Sequence, residues 1–245
     1  MPHGHHAASG FAWVTGASRR IGREVALRLA REGYDIVLHY RSDREGAEET
    51  ASAIRSLGRT AVVEQADLAD VDSLQAFAAR TLEAHGTPQV LVNNAAGFKR
   101  TPIETLTVGD FDTMMHANAR SVHELTRVVG LAMREAGHGV VVNITDVSAH
   151  RPWGTHIPYC ASKAAVVNMT RGFAKALAPE VRVNAVGPGA ALSPEDQAQG
   201  SGDPVGGLIK GESGAGPIAA AVLLMVRGTY LTGVVLDVDG GRSIA

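Results

Sequence analysis

Cysteine is nearly missing from this sequence: Cys160 is the only one. That excludes an intramolecular disulfide and fits a reducing compartment. A lone cysteine next to a tyrosine reads as a small buried hydrophobe. Long apolar runs are missing too. The candidate AAAVLLMV at 219–226 is less than half of the ~18 residues a membrane span needs, so it reads as a core helix. Charge of one sign is also lacking. The net charge is −2, with 10 histidines, which leaves no basic field to argue for nucleic acid or an anionic membrane. The opening MPHGHHAASG has neither the charged n-region nor the apolar h-region of a signal peptide. Residues 1–9 read as a short disordered-looking polar tail, and its histidines are not taken as a metal site. The expected location is the cytoplasm.

Hydrophobic residues at 45% and charged residues at 20% exclude a disordered chain. Strand and helix patterns alternate throughout 245 residues, with no internal repeat, low-complexity block or linker. Residues 1–245 are therefore assigned to one domain.

FAWVTG at 11–16 is a short apolar run ending in a glycine turn. IGREVALRLAREG then places Ile21, Val25 and Leu29 on one helical stripe and stops at Gly33. The turn TGASRRIG holds Gly16 and Gly22, and the helix N-terminus behind it offers unpaired N–H groups to a phosphate. Its spacing is not G-x-G-x-x-G, so on this element alone a plain βα turn reads equally well. DIVLHY at 35–40 is the second strand, followed by Arg41 and Ser42. An acidic residue at this strand end would favour NAD, a cationic one the 2′-phosphate of NADP. Arg41, Ser42 and Arg20 favour NADPH, with Asp43 close by and ordinary loop solvation as the other reading.

A helix is expected from Glu45 to Leu57, then a strand TAVVEQA, then Asp67 and Leu68, where Asp67 either caps the next helix or meets an adenine edge. PQVLVNNAAG at 88–97 is a strand running into a small-residue turn, and Phe98 after it either stacks on a planar ligand or packs. A single helix is expected from Thr107 to Ala136, carrying Asn118. GVVVNIT at 139–145 delivers Asp146 to a strand end, where ligands of parallel sheets bind. On a helix from Tyr159 to Ala178, Tyr159 and Lys163 stand at i and i+4 and share a face. The neighbouring ammonium is expected to lower the tyrosine pKa toward neutrality, fitting it as a general acid. VRVNAVGPG at 181–189 is the sixth strand. Glycine-rich residues 190–216 read either as a substrate loop or as disorder without function, and GPIAAAVLLMVRG and VVLDVDGG close the chain. The whole predicts an α/β fold: a doubly wound, Rossmann-type, mainly parallel sheet of six or seven strands with helices on both faces.

With TGASRRIG, NNAAG, Asn118, YCASK, GPG at 187–189 and YLTGVVLDVDGG in order, the chain resembles the classical short-chain dehydrogenase/reductase family from end to end. Two features resemble its pteridine reductase branch: Asp146 stands thirteen residues before Tyr159 where most members carry serine, and Arg20 replaces the middle glycine of the turn. Phe98 falls where that branch sandwiches a pterin. Two departures accompany the likeness: Ala96 stands where parasite pteridine reductases use a serine, and 190–216 does not match closely.

The resemblance implies an NADPH-dependent oxidoreductase that reduces a dihydropteridine of the dihydrobiopterin, dihydromonapterin or dihydrofolate type. It implies Asp146, Tyr159, Lys163 and Asn118 as catalytic residues. Asn118 would keep a water near Lys163. Cofactor contacts are implied at Gly16, Ser18, Arg19, Arg20, Ile21, His39, Tyr40, Arg41, Ser42, Asp67, Leu68, Asn94, Ala95, Ala96, Thr145, Tyr159, Lys163, Pro188 and Gly189. Substrate contacts are implied at Arg20, Phe98, Asp146 and Tyr159. A homodimer or homotetramer is expected from the same resemblance. The alternatives are a reductase of a ketone or 3-oxoacyl thioester, and a non-catalytic NADP(H)-binding sensor.

Overall fold

The computed structural model describes residues 10–189, 207–209 and 214–245. The tail at 1–9 and most of the loop read at 190–216 lie outside the described residues. Strands β1 (Phe11–Val14), β2 (Asp35–Tyr40), β3 (Ala61–Gln65), β4 (Val90–Asn93), β5 (Gly139–Ile144), β6 (Val181–Pro188) and β7 (Val235–Val238) form one sheet in the order 3-2-1-4-5-6-7. Every neighbouring pair is parallel. The order reverses between β1 and β4, so a crevice opens at their C-terminal ends, the place where such sheets bind ligands.

Strand residues alternate between two cores because successive side chains point to opposite faces. Val14, Leu38, Val92 and Val142 pack with Val25 and Leu29 of α1 (Arg20–Arg31), Ile54 of α2 (Arg44–Ser56) and Val222 of α7 (Ala215–Arg227). Trp13, Val37, Leu91 and Val141 pack on the other side with Phe77 of α3 (Val71–His85) and Leu125 of α5 (Ser121–Glu135). Ala174 of α6 (Ile157–Ala176) completes that core. Each buried Val, Leu or Phe contributes on the order of 1.5–3 kcal/mol. Both faces covered by helices explains why the strands read as near-continuous apolar runs.

Two boundaries differ from the sequence expectation. The helix expected over 107–136 is broken: α4 (Val108–Met114) passes into a π-helical turn at Met115–Arg120 before α5 begins. The helix capping near Asp67 belongs instead to Asp70, whose carboxylate accepts from Ser73 N at 2.7 Å. Asp67 Oδ1 accepts from Ala69 N at 2.9 Å, a local turn three residues before the cap.

A polar ladder crosses the middle of the sheet. Asn93 and Asn143 are register partners on β4 and β5. The Asn93 amide donates to Thr126 Oγ1 of α5 at 3.0 Å and to Asn143 Oδ1 at 2.9 Å, and Asn143 Nδ2 donates to Thr170 Oγ1 of α6 at 2.9 Å. The ladder fixes two helices on one sheet face, and breaking it leaves buried donors without acceptors. Asn143→Leu is expected to lower unfolding free energy by about 1–3 kcal/mol, and Thr170→Val by roughly 1 kcal/mol. Urea denaturation checks both, and equal midpoints would remove the ladder from the account of stability.

Candidate active site

The crevice is a cavity of about 370 Å³ running from the β1–α1 turn to the aromatic side chains before α6. Thr15 and Asn94 build its floor. The Asn94 amide donates to Thr15 O at 2.8 Å and Gly16 O at 3.0 Å, while Asn94 N and Ala95 N both donate to Thr15 Oγ1 at 2.9 Å. The turn is tight: a Cβ at Gly22 would sit 2.2 Å from Gly16 O. Arg20 takes a left-handed backbone with φ 51, the strained conformation that glycine adopts freely. No side chain caps the start of α1, and its first-turn N–H groups lie beside Ser18, Arg19 and Ile21 in the cavity wall. That arrangement holds anions.

Tyr40, Arg41, Ser42, Asp67 and Leu68 line the same end of the cavity. Arg41 and Ser42 are exposed there, whereas Asp43 caps α2 through Gly46 N at 3.1 Å. His39, expected as a cofactor contact, lines the cavity and is also bonded within the protein. Its Nδ1 accepts from Gly16 N at 3.2 Å, so its Nε2–H donates to Ala66 O at 3.0 Å. Both ring nitrogens are thus used inside the protein, and burial lowers its pKa to about 4. The neutral ring braces the glycine backbone of the turn.

At the other end Asp146 leaves β5 and Tyr159 and Lys163 rise from α6, all three buried. Tyr159 Oη donates to Asp146 Oδ2 at 2.9 Å, and Asp146 Oδ1 accepts from Ser148 N at 2.8 Å. Asp146 therefore caps a short turn with one oxygen and faces the tyrosine with the other. Burial raises its pKa above the ordinary carboxylate value, against the pull of Ser148, Lys163 and Tyr159. Lys163 Nζ donates to Ile144 O at 2.9 Å, and burial lowers its pKa to about 8. The expectation that Lys163 draws the Tyr159 pKa down is reversed. Burial, then the charge and hydrogen bond of Asp146, hold the phenol well above its usual value. The ammonium lies 5.8 Å from the ring centre, while the carboxylate touches the hydroxyl itself.

Asn118 does not line the cavity. Its Oδ1 accepts from Gly97 N at 2.7 Å, and its Nδ2 donates to Gly97 O and Ser162 Oγ, each at 3.0 Å. These bonds clamp the cavity-lining Gly97, next to Phe98, onto α6; none of them involves Lys163. Thr145 Oγ1 donates to Lys163 O at 3.1 Å. Ala96, Pro188 and Gly189 lie in the cavity wall.

Phe98 is 45% exposed and meets the Tyr159 ring edge to face, with centroids 4.9 Å apart. The His156 ring stacks on Phe98 at 4.7 Å, and Trp153 stacks on Tyr159 at 6.2 Å. Sequence reasoning missed Trp153, His156 and the cavity-lining Arg242. The first two stand between Asp146 and Tyr159, and that proximity was the available signal. Cys160 is free, and its sulfur accepts from Trp153 N at 3.4 Å, so its part is to pack that loop.

A parallel sheet with this reversal, a glycine turn beneath an uncapped helix and a buried Asp–Tyr–Lys group define a dinucleotide-binding oxidoreductase. The short chain dehydrogenase family matches residues 11–203, and the chain belongs to that family. It is 32% identical over 183 residues to the 3-oxoacyl-[acyl-carrier-protein] reductase FabG of Staphylococcus aureus, covering 74% of each chain. Among solved structures it is similar to acetoin dehydrogenase from Enterobacter cloacae, with a TM-score of 0.88, 30% identity and 98% of both chains covered. It is likewise similar to FolM alternative dihydrofolate reductase 1 from Brucella canis complexed with NADP. There the TM-score is 0.84 and identity 30%, covering 96% of this chain and 95% of that one.

His39 gives this site a pH dependence of stability. Its folded pKa of about 4 lies below the unfolded value of about 6.5. Between those values the unfolded chain binds more protons, so stability is lost as pH falls through that window. The loss is at most about 3 kcal/mol. Urea unfolding at pH 7 and pH 4.5 is expected to show a larger drop for the native chain than for His39→Gln. Equal drops would discard the neutral brace.

Proposed function

We propose that the protein reduces a dihydropteridine with NADPH. The observation that carries this reading is the 2.9 Å hydrogen bond from Tyr159 to a buried carboxyl, Asp146. An ionised carboxylate only accepts hydrogen bonds, so it is poorly suited to a ketone oxygen and well suited to the amino and ring N–H groups of a pterin. Exposed Phe98 beside Tyr159 offers a face to a planar ring.

The cavity fits a dinucleotide in its own residues. The absence of Cβ at Gly22 keeps the turn tight, the uncapped start of α1 suits a diphosphate, and exposed Arg41 and Ser42 suit a 2′-phosphate. Bound there, NADPH supplies the hydride. Tyr159 Oη holds the proton that goes to the ring nitrogen, because burial and Asp146 keep the phenol neutral. Asp146 orients Tyr159 by accepting the hydrogen bond of its hydroxyl. Lys163 holds the nicotinamide ribose, its ammonium anchored on Ile144 O. Asn118 acts from behind, fixing Gly97 and hence Phe98.

The reading extends to a cytoplasmic homo-oligomer. Exposed Val108 and Phe111 on α4 and Leu131 on α5 offer apolar surface for self-association, and no helix among the described residues is long and apolar enough to cross a membrane.

Asp146→Ser is expected to lower turnover of dihydrobiopterin or dihydromonapterin by about 10²-fold or more, with NADPH binding retained. NADPH oxidation assays and a binding titration measure the two. Unchanged pterin turnover would sink the role of Asp146, and turnover of an acetoacetyl thioester alone would replace the pterin with a carbonyl substrate.

A further inference from the structure

His156 is 1% exposed, although its ring carries two polar nitrogens. Nδ1 meets Thr155 Oγ1 at 3.0 Å, and Nε2 makes no hydrogen bond among the described residues. Burying a polar atom unpaired costs free energy, so hydrogen bonding does not account for where this ring sits. Stacking does. The imidazole lies nearly flat on Phe98, with centroids 4.7 Å apart and planes 20° from parallel. Trp153 stands close to perpendicular to both, 6.4 Å from Phe98 and 5.7 Å from His156, and carries the Arg242 guanidinium 5.9 Å from its own centre. Stacked and T-shaped pairs are the favourable arrangements of aromatic rings.

The backbone explains how the imidazole reaches Phe98. His156 immediately precedes α6: its N donates to Trp153 O and its O accepts from Cys160 N, each at 3.0 Å. The ring is thus placed by the helix that carries Tyr159 and Lys163. The two loops also meet beside it, where Thr101 N donates to Thr155 O at 2.7 Å. Phe98 therefore lies between two anchors, Gly97 on Asn118 and Thr101 on Thr155, with His156 against its ring. Phe98 nevertheless stays 45% exposed and lines the cavity, in contact with the Tyr159 ring at 4.9 Å.

We propose that His156 is a positioning residue: by stacking on Phe98 it fixes the orientation of that ring relative to Tyr159, and so how the substrate is presented to the proton donor. This deepens the pterin reading and rests on it only for the identity of the reacting ring.

The test is a double-mutant cycle of Phe98→Ala, His156→Ala and the pair in the full chain. NADPH oxidation assays on dihydrobiopterin and on an acetoacetyl thioester give KM and kcat. With the substrate that turns over, His156→Ala is expected to raise KM about fivefold or more while kcat changes less than about threefold, and to raise KM no further once Phe98 is Ala. His156→Phe keeps a flat ring and drops the unpaired nitrogen, and should return KM to within about twofold of native. His156→Leu replaces the alanine variant if urea denaturation shows the latter unfolded. KM effects that add fully in the pair, an unchanged KM in His156→Ala, or a His156→Phe variant as impaired as the alanine would overturn the assignment. A non-additive cycle on the thioester with no pterin turnover would support His156 and remove the pterin.

Discussion

Thr15 and Asn94 join the two halves of the sheet where its strand order reverses. Parallel strands splay at such a point, and backbone groups at both strand ends would face the crevice unpaired. One threonine hydroxyl takes two N–H groups from the end of β4, and one asparagine amide takes two carbonyls from the end of β1. The clamp satisfies these groups, while the start of α1 has no side-chain cap and its first residues, Arg20, Ile21 and Gly22, line the cavity. Every later element of the site inherits its position from that floor: His39 beneath the turn, Arg41 and Ser42 at one end, and Asp146 on the strand beyond β4.

The reactive end obeys a different constraint. Asp146, Tyr159 and Lys163 are ionisable, adjacent and buried, so the protein disfavours charging any of them. Desolvation leads the shift in all three, raising the two acids and lowering the base. The hydrogen bond from phenol to carboxyl couples the titration of the two acids. Ser148 N and Ile144 O then hold the outer members in place. The group is therefore poised by dryness and geometry together.

Much of this was legible in the sequence because the signals were local. The alternation of strands and helices announced the sheet, and Tyr159 with Lys163 four residues on announced a shared helical face. What stayed hidden depended on contacts between distant residues. His39 reads as a ligand contact in a strand-end tetrapeptide, and its neutral bracing role appears only when Gly16 and Ala66 arrive from other strands. Asn118 reads as an ordinary helix residue, given a water near Lys163 only by the family resemblance, and its bonds to Gly97 and Ser162 appear only in the fold. Arg242 lies far along the chain from Trp153, and no periodicity links them. The tyrosine pKa failed for a related reason: sequence spacing supplied the lysine but not the degree of burial or the closeness of Asp146.

The π-helical turn at Met115–Arg120 also sets a phase. A regular α-helix advances about 100° per residue, so one residue accommodated in a wider turn rotates everything downstream relative to everything upstream. Upstream of the turn, Met114 is buried and Phe111 is exposed; downstream, Leu125, Val129 and Met133 all face the sheet. Asn118 sits inside the phase jump, turned toward Gly97 and α6. A single unbroken helix would have to surrender one of these alignments, either the amide that clamps Gly97 or the stripe that seats α5. The widened turn lets one continuous rod serve two surfaces whose directions do not agree.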